Sequence, residues 1–298
     1  MNRTPRLLSV LATLLLPLAA CGGEGGDTTA EGGGATPSGG ESTGGAVDTE
    51  NLDLVSEGTL TVCTDSPYQP FEFEESGEFT GFDVEVMNAI AENIGLETEY
   101  RVTPFESLQS AAALQANQCD IAASAMTITP ERAERLLFSD PYFNADQSLL
   151  VSSDQADQFA TLEDLAGQPI GVQASTTGQA YAEGNAPADA RIVQFPDSSA
   201  LFTALQGGQI SAVLQDFPVN GFFASQNDGV EVVETYPTGE QYGFAAEQGA
   251  TALVDAVNQG LGQVRESGTY EDIYVNWFDQ PPPSASESAS PAPSPTSS

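Results

Sequence analysis

The chain has 298 residues, of which 43 are Asp or Glu and only seven are Arg; it contains neither lysine nor histidine and carries a formal net charge of −36. A surface this acidic repels nucleic acid and anionic lipid, which makes both poor candidates as partners of the folded body. Without His or Lys there is no Ser-His-Asp or Cys-His pair, no Schiff-base lysine and no His-liganded metal, so no cofactor or metal is expected, and any catalysis would fall to carboxylates, Arg, Tyr or backbone groups.

Residues 1–20 place Arg3 and Arg6 before an apolar run from Leu7 to Leu18 and end in small residues, the order of a secretory signal peptide. The run is about twelve residues, short of the roughly twenty that span a bilayer. Leu18-Ala19-Ala20-Cys21 resembles a bacterial lipobox. That resemblance implies that Cys21 is lipidated and becomes the new N-terminus, anchoring the chain to membrane lipid on the outer face of the cell membrane. Residues 21–50 are Gly, Thr, Ser and acid with almost no large apolar side chain, so they cannot offset their chain entropy and read as a flexible tether. A Gly-rich coil of that length spans roughly 30 Å. The Pro/Ser-rich stretch 281–298 reads as a disordered tail.

The intervening span of roughly 230 residues is enough for two lobes with cores of their own. Residues 60–64 are a short β-rich run, and 72–81 read as a hairpin turning at Ser76-Gly77. Val86, Met87, Ile90, Ala91 and Ile94 then share one helical face, which Gly95 terminates. Strands over 98–102 and 121–124 flank a helix over 106–117. Thr129-Pro130 opens another helix as N-cap and first-turn proline. A second series repeats the pattern: strands at 169–172, 192–194 and 211–215, helices at 177–183 and 198–206. Two closing helices over 251–267 and 270–278 carry core residues at helical spacing. This alternation predicts an α/β protein with two mixed, mostly parallel sheets.

Open α/β sheets bind ligands beyond the carboxyl ends of their strands. Asp65 follows the first strand, Ser124, Ala125 and Thr127 the third, Thr176 and Thr177 the first of the second series, and Asp216 its last. Any one of these polar residues alone is an ordinary cap or turn residue, but four such groups at equivalent strand ends mark a candidate site. Cys63 and Cys119 remain open as a disulfide. Export favours a bridge, whereas two strands running the same way would separate the two Cα atoms.

Residues 59–278 resemble the family 3 extracellular solute-binding proteins, the polar amino-acid receptors of ABC importers. The motifs that carry the resemblance are Gly81-Phe82-Asp83-Val84-Glu85-Val86-Met87-Asn88-Ala89-Ile90-Ala91, Tyr68-Gln69-Pro70-Phe71-Glu72-Phe73, Met126-Thr127-Ile128-Thr129-Pro130-Glu131-Arg132, Phe138-Ser139-Asp140-Pro141-Tyr142, Gly171-Val172-Gln173, Leu214-Gln215-Asp216 and Gly268-Thr269-Tyr270. The resemblance implies a two-lobed periplasmic-binding-protein-like fold of type II with a two-strand hinge. Lobe 1 would comprise 51–142 plus 241–280 and lobe 2 would comprise 146–236. It further implies a monomer that takes a free amino acid and delivers it to permease subunits of an ABC importer.

Carried over by motif, Arg132 would grip the ligand's α-carboxylate in a bidentate fork, helped by the N–H of Ala125, the hydroxyl and N–H of Thr127 and the N–H of Thr177. Asp216 would accept the α-ammonium, Tyr68 and Phe105 would sandwich the side chain, and Asp65, Gln173 and Gln215 would line its far end. The family's loop usually has Gly where Ala125 stands. The far end disfavours Glu and Asp, because a second carboxylate would meet Asp65; a basic amino acid comes slightly ahead of glutamine. The expectation is therefore a binding protein and not an enzyme. The competing readings are a prephenate- or arogenate-dehydratase-like enzyme on the same fold and a ligand-sensing surface lipoprotein.

Overall fold

The computed structural model describes Thr49 and residues 52–283. The signal segment, Cys21, nearly all of the tether and the tail beyond residue 283 lie outside the described residues. The chain begins with β1 (Thr59–Thr64), the hairpin β2 (Phe73–Glu75) and β3 (Glu78–Thr80), α1 (Phe82–Ile94) and β4 (Glu97–Val102). It continues through α2 (Phe105–Gln109), α3 (Ala112–Gln115), β5 (Ile121–Ala122), α4 (Pro130–Ala133), β6 (Leu136–Phe138) and β7 (Phe143–Ser152). Then come β8 (Pro169–Gln173), α5 (Thr177–Asn185), β9 (Arg191–Phe195), α6 (Ser198–Gln206), β10 (Ala212–Asp216), α7 (Phe217–Gln226) and β11 (Val230–Tyr242). The last elements are β12 (Ala245–Glu247), α8 (Thr251–Glu266) and α9 (Thr269–Phe278).

These strands form two five-stranded sheets, ordered β4-β1-β5-β12-β6 and β11-β7-β10-β8-β9. In the first, β4, β1 and β5 run parallel while β12 runs against its neighbours; in the second, β10, β8 and β9 run parallel. With helices flanking both sheets, the molecule is a bilobed α/β fold of the type II periplasmic-binding-protein kind. Two long antiparallel strands, β7 and β11, connect the sheets and pair from Phe143 with Tyr242 to Ser152 with Val230. Their lobe 1 ends are packed into an aromatic cluster, with the Phe143 ring 5.1 Å from Phe71, 5.4 Å from Phe82 and 5.6 Å from Tyr242. Rings from α9, Tyr274 and Phe278, close over the same side. The base of both crossing strands is thus fixed to one lobe.

The amphipathic face read for α1 is the buried one: Val86, Met87, Ile90, Ala91 and Ile94 are all in the core. The helix packs on α8, where a side chain at Gly260 would meet Ile90 Cγ2 at 2.9 Å. Gly95 ends it in the left-handed conformation at φ 79°.

The expected helix over 106–117 is two short helices instead, broken at Ala111, whose φ is 67°. In an unbroken helix Leu108 and Leu114 would point about 120° apart. The break turns both into one small core with Phe105, Cys63 and Cys119, and that packing outweighs the helical propensity of the alanines. Cys63 and Cys119 are joined, with Cα atoms 5.7 Å apart. β5 comprises only Ile121–Ala122, so Cys119 sits in the turn ahead of it and reaches across to β1.

Candidate functional site

The two lobes face each other across a cleft at the carboxyl ends of β1, β5, β8 and β10. A cavity there is lined by Asp65, Tyr68, Phe105, Ser124, Ala125, Thr127, Arg132, Gln173, Thr176, Thr177 and Asp216. Gln215 does not line it. Successive residues of a strand point to opposite faces, so Gln215 turns away where Asp216 turns in; both polar atoms of its buried side chain lack a partner among the described residues.

Arg132 comes from α4, a single turn that starts on Pro130 and is capped by the Thr129 hydroxyl, which accepts from the Arg132 N–H at 3.2 Å. The guanidinium donates to the carbonyls of Thr127 at 2.8 Å and, across the cleft, Ser175 at 3.2 Å. It stacks 5.1 Å above the Phe105 ring. The residue is only 5 % exposed, and burial lowers its pKa from the ordinary value while Asp216 and Glu240 act in the other direction. Among the described residues the ion pairs within 4 Å are Arg101 with Glu99 and Arg135 with Glu131, so Arg132 has no carboxylate partner.

Asp216, at the end of β10, accepts hydrogen bonds from Gln147 Nε2 at 2.5 Å, from the Tyr68 hydroxyl at 3.2 Å and from the Tyr242 hydroxyl. Burial, reinforced by Glu240, pushes its pKa up to about 6 against these hydrogen bonds. Asp65 accepts from Gln173 Nε2 at 2.6 Å, and burial also pushes its pKa up to about 6. Thr177 opens α5 beside Thr176, whose hydroxyl caps the helix by accepting from the Gln179 N–H.

Several donors expected to face a ligand are engaged. The N–H of Ala125 donates to buried Asp83 at 2.8 Å, which corrects its expected part as a ligand donor. The Ser124 hydroxyl donates to Glu72 at 2.7 Å. Glu72 and Asp83 are both 0 % exposed. Burial raises both pKa values, that of Asp83 to about 7, and each acid keeps one oxygen without a hydrogen-bond partner among the described residues. They brace the 124–125 turn from behind. Ala125 itself has φ 42°, the left-handed region in which a Cβ is strained, which is why glycine suits this position.

Sequence reasoning missed five polar residues here: Glu72, Asp83, Gln147, Glu240 and Tyr242. Glu72 and Asp83 stand inside the Tyr-Gln-Pro-Phe-Glu and Gly-Phe-Asp motifs, where an acid between two large apolar neighbours, Phe71 and Phe73 for Glu72 and Phe82 and Val84 for Asp83, is the available signal. Gln147 and Glu240 lie on β7 and β11 and reach the cleft only through the pairing of those strands, which local sequence does not display.

Residues 60–280 match the bacterial extracellular solute-binding proteins, family 3. The chain is 32% identical over 279 residues to the ABC transporter glutamine-binding protein GlnH of Bacillus subtilis, a match covering 93% of this chain and 96% of that one. It is 31% identical over 223 residues to the arginine-binding periplasmic protein of Mannheimia haemolytica, covering 73% and 90%. Among solved structures, an ancestral arginine-binding protein bound to glutamine is similar at a TM-score of 0.71 and 35% identity, covering 76% of this chain and all of that one.

Proposed function

Because the chain belongs to the bacterial extracellular solute-binding proteins, family 3, a family of binding proteins rather than catalysts, we propose that it captures a free polar amino acid between its lobes and hands it to the permease of an ABC importer. The carrying observation is Arg132, a buried guanidinium without a carboxylate partner among the described residues, which shares one cavity with Asp216. A zwitterion leaving water needs donors for one end and an acceptor for the other. Arg132, with the hydroxyl and N–H of Thr127 and the N–H of Thr177, takes the α-carboxylate, and the Thr177 hydroxyl, 3.5 Å from that of Thr127, joins these donors; Asp216 takes the α-ammonium. Tyr68 and Phe105 flank the side chain.

The far end reads as selective for a basic side chain, with glutamine second. Asp65 is a buried carboxylate held by an amide and by no cation among the described residues. A cationic side chain would supply the missing partner, and glutamine could bond both Asp65 and Gln173 without a charge. A ligand carboxylate would face Asp65 at close range, which disfavours glutamate and aspartate. Names of relatives support both candidates, since GlnH is a glutamine-binding protein and the Mannheimia protein an arginine-binding one.

Export and lipidation at Cys21 complete the reading, with residues 21–50 as tether and the body as a monomer in lobes 51–142 plus 241–280 and 146–236. Replacing Cys21 by Ser is expected to release the protein from the membrane fraction; unchanged retention would contradict the anchor. For binding, a thermal-shift screen against the twenty amino acids tests the reading. A ligand at 100 times its dissociation constant raises stability by about 2.7 kcal/mol, and a flat response to all twenty would contradict it.

A further inference from the structure

The crossing strand β11 brings into the cleft a carboxylate that the proposed function does not use. Between Tyr236 and Glu240 the ladder with β7 shifts: Tyr236 pairs with Gln147 and Glu240 with Ala145, so residues 237–239 stand against Asp146 alone. A bulge of this kind bends a strand and re-aims the side chain that follows it. Gly239 takes the left-handed conformation at φ 66°, and its N–H is held by Asp146 Oδ1 at 3.2 Å. Glu240 then enters the cleft. Its Oε2 accepts from the Thr127 hydroxyl at 2.8 Å and the Thr177 hydroxyl at 2.6 Å, and its Oε1 accepts from Gln147 Nε2 at 3.1 Å. Thr127 follows β5 in one lobe and Thr177 opens α5 in the other, so one carboxylate is held by hydroxyls from both.

These are the hydroxyls that the proposed function gives to the ligand's α-carboxylate. Each has one hydrogen to donate, so two carboxylates cannot both hold them, and like charges at short range in a buried site repel. Resting on the amino-acid reading of the cleft, we propose that Glu240 is an internal competitor: it clips the two lobes through Thr127 and Thr177, and the ligand's α-carboxylate binds by displacing it. The exchange is carboxylate for carboxylate, so both hydroxyls keep an acceptor throughout and neither is left buried and unmet. The incoming carboxylate gains an ion pair with Arg132 that Glu240 does not make, which gives the exchange its direction. Glu240 is half-buried, so water receives it on release. Affinity in this cleft is therefore set by a difference between two carboxylates, and Glu240 lowers it.

The test is calorimetric titration of the full chain with L-arginine and L-glutamine, for the wild type, Glu240→Ala and Glu240→Gln. Removing the competitor should tighten binding by about fivefold or more in the alanine variant, the equivalent of losing one net hydrogen bond on the competing side. The glutamine variant, which keeps an acceptor but no charge, should fall between. Small-angle scattering without added amino acid should give a larger radius of gyration for Glu240→Ala than for wild type, and the two should converge with saturating arginine. Unchanged or weaker binding by the folded alanine variant, with wild-type binding intact, overturns the competition alone. A wild type that binds neither of these, and none of the twenty amino acids in the thermal-shift screen, overturns the amino-acid reading and the competition with it.

Discussion

At one end of the cleft Arg132, Thr127, Thr177 and Asp216 are held by partners from both lobes and both crossing strands, whereas at the other end Asp65 has one amide side chain, that of Gln173, and the backbone at Phe105. The groups of the crowded end are fixed before a ligand arrives, so little further order must be imposed on them, although the incoming α-carboxylate must still displace Glu240 from the two threonine hydroxyls. On the proposed function it recognises what every amino acid shares, the α-carboxylate and α-ammonium. The sparse end meets the part that differs. A cleft divided this way can change its choice of side chain at Asp65 and Gln173 without dismantling the machinery that holds the zwitterion.

The comparison breaks most visibly at Arg132. Arg132→Ala should weaken arginine and glutamine alike by a hundredfold or more, since about two charge-assisted bonds of roughly 1.5 to 3 kcal/mol each are lost. Asp216→Ala should do similar damage. A folded variant of either that binds within about threefold of wild type by calorimetry contradicts the division. At the other end, Asp65→Asn should cost arginine tens of fold while leaving glutamine within about threefold, because only the cation loses its ion pair. An equal loss for both ligands would show that Asp65 shapes the cleft rather than selecting within it.

Acid sharpens the same contrast. Asp65 and Asp216 have folded pKa values raised to about 6 from 3.8. The folded protein therefore holds more protons than the unfolded chain between these values. With no amino acid added, these groups make stability fall as pH rises from about 4 through 6, so the melting temperature should be higher near pH 5 than near pH 7.5. Binding runs the opposite way, because a cation on either carboxylate must expel its proton. Each engaged carboxylate should cost about tenfold in affinity between pH 7 and pH 5. Arginine, engaging both, should lose more than glutamine, which needs only Asp216 charged. Parallel pH profiles for the two ligands would contradict a charge contact at Asp65.

The smallest expected effect lies at the turn behind the cleft. Ala125→Gly relieves a left-handed alanine and should raise stability by up to about 1 kcal/mol, read as a shift of the urea midpoint. A loss of stability would mean that the Ala125 methyl packs more than it strains.

Much of this architecture is legible from local pattern. The helical face of α1, the N-cap of α4 and α6 at residues 198–206 each follow from spacing or a cap that a short window contains. The polar residues at the strand ends are also local, and eleven of the twelve residues read as candidates line the cavity. The failures share a physical cause. Ala111 is helical by propensity and left-handed in the fold because Leu108 and Leu114 must enter one core. The resemblance puts Gln215 at the far end of the cleft, whereas the alternation of a strand turns it away from the face that carries Asp216. Glu240 depends on a bulge between strands some ninety positions apart, and Glu72 and Asp83 are acids whose burial comes entirely from tertiary packing. Local sequence encodes where a chain turns; which polar side chain then faces a cleft is decided by pairing at long range.

The central claim, a cleft that grips a zwitterion at one end and selects for a cationic or amide side chain at the other, is tested most directly by calorimetric titration with arginine, lysine, glutamine and glutamate. Tight binding of arginine or lysine, weaker binding of glutamine and no measurable glutamate binding is the predicted result; tight glutamate binding with no response to arginine or glutamine would contradict it.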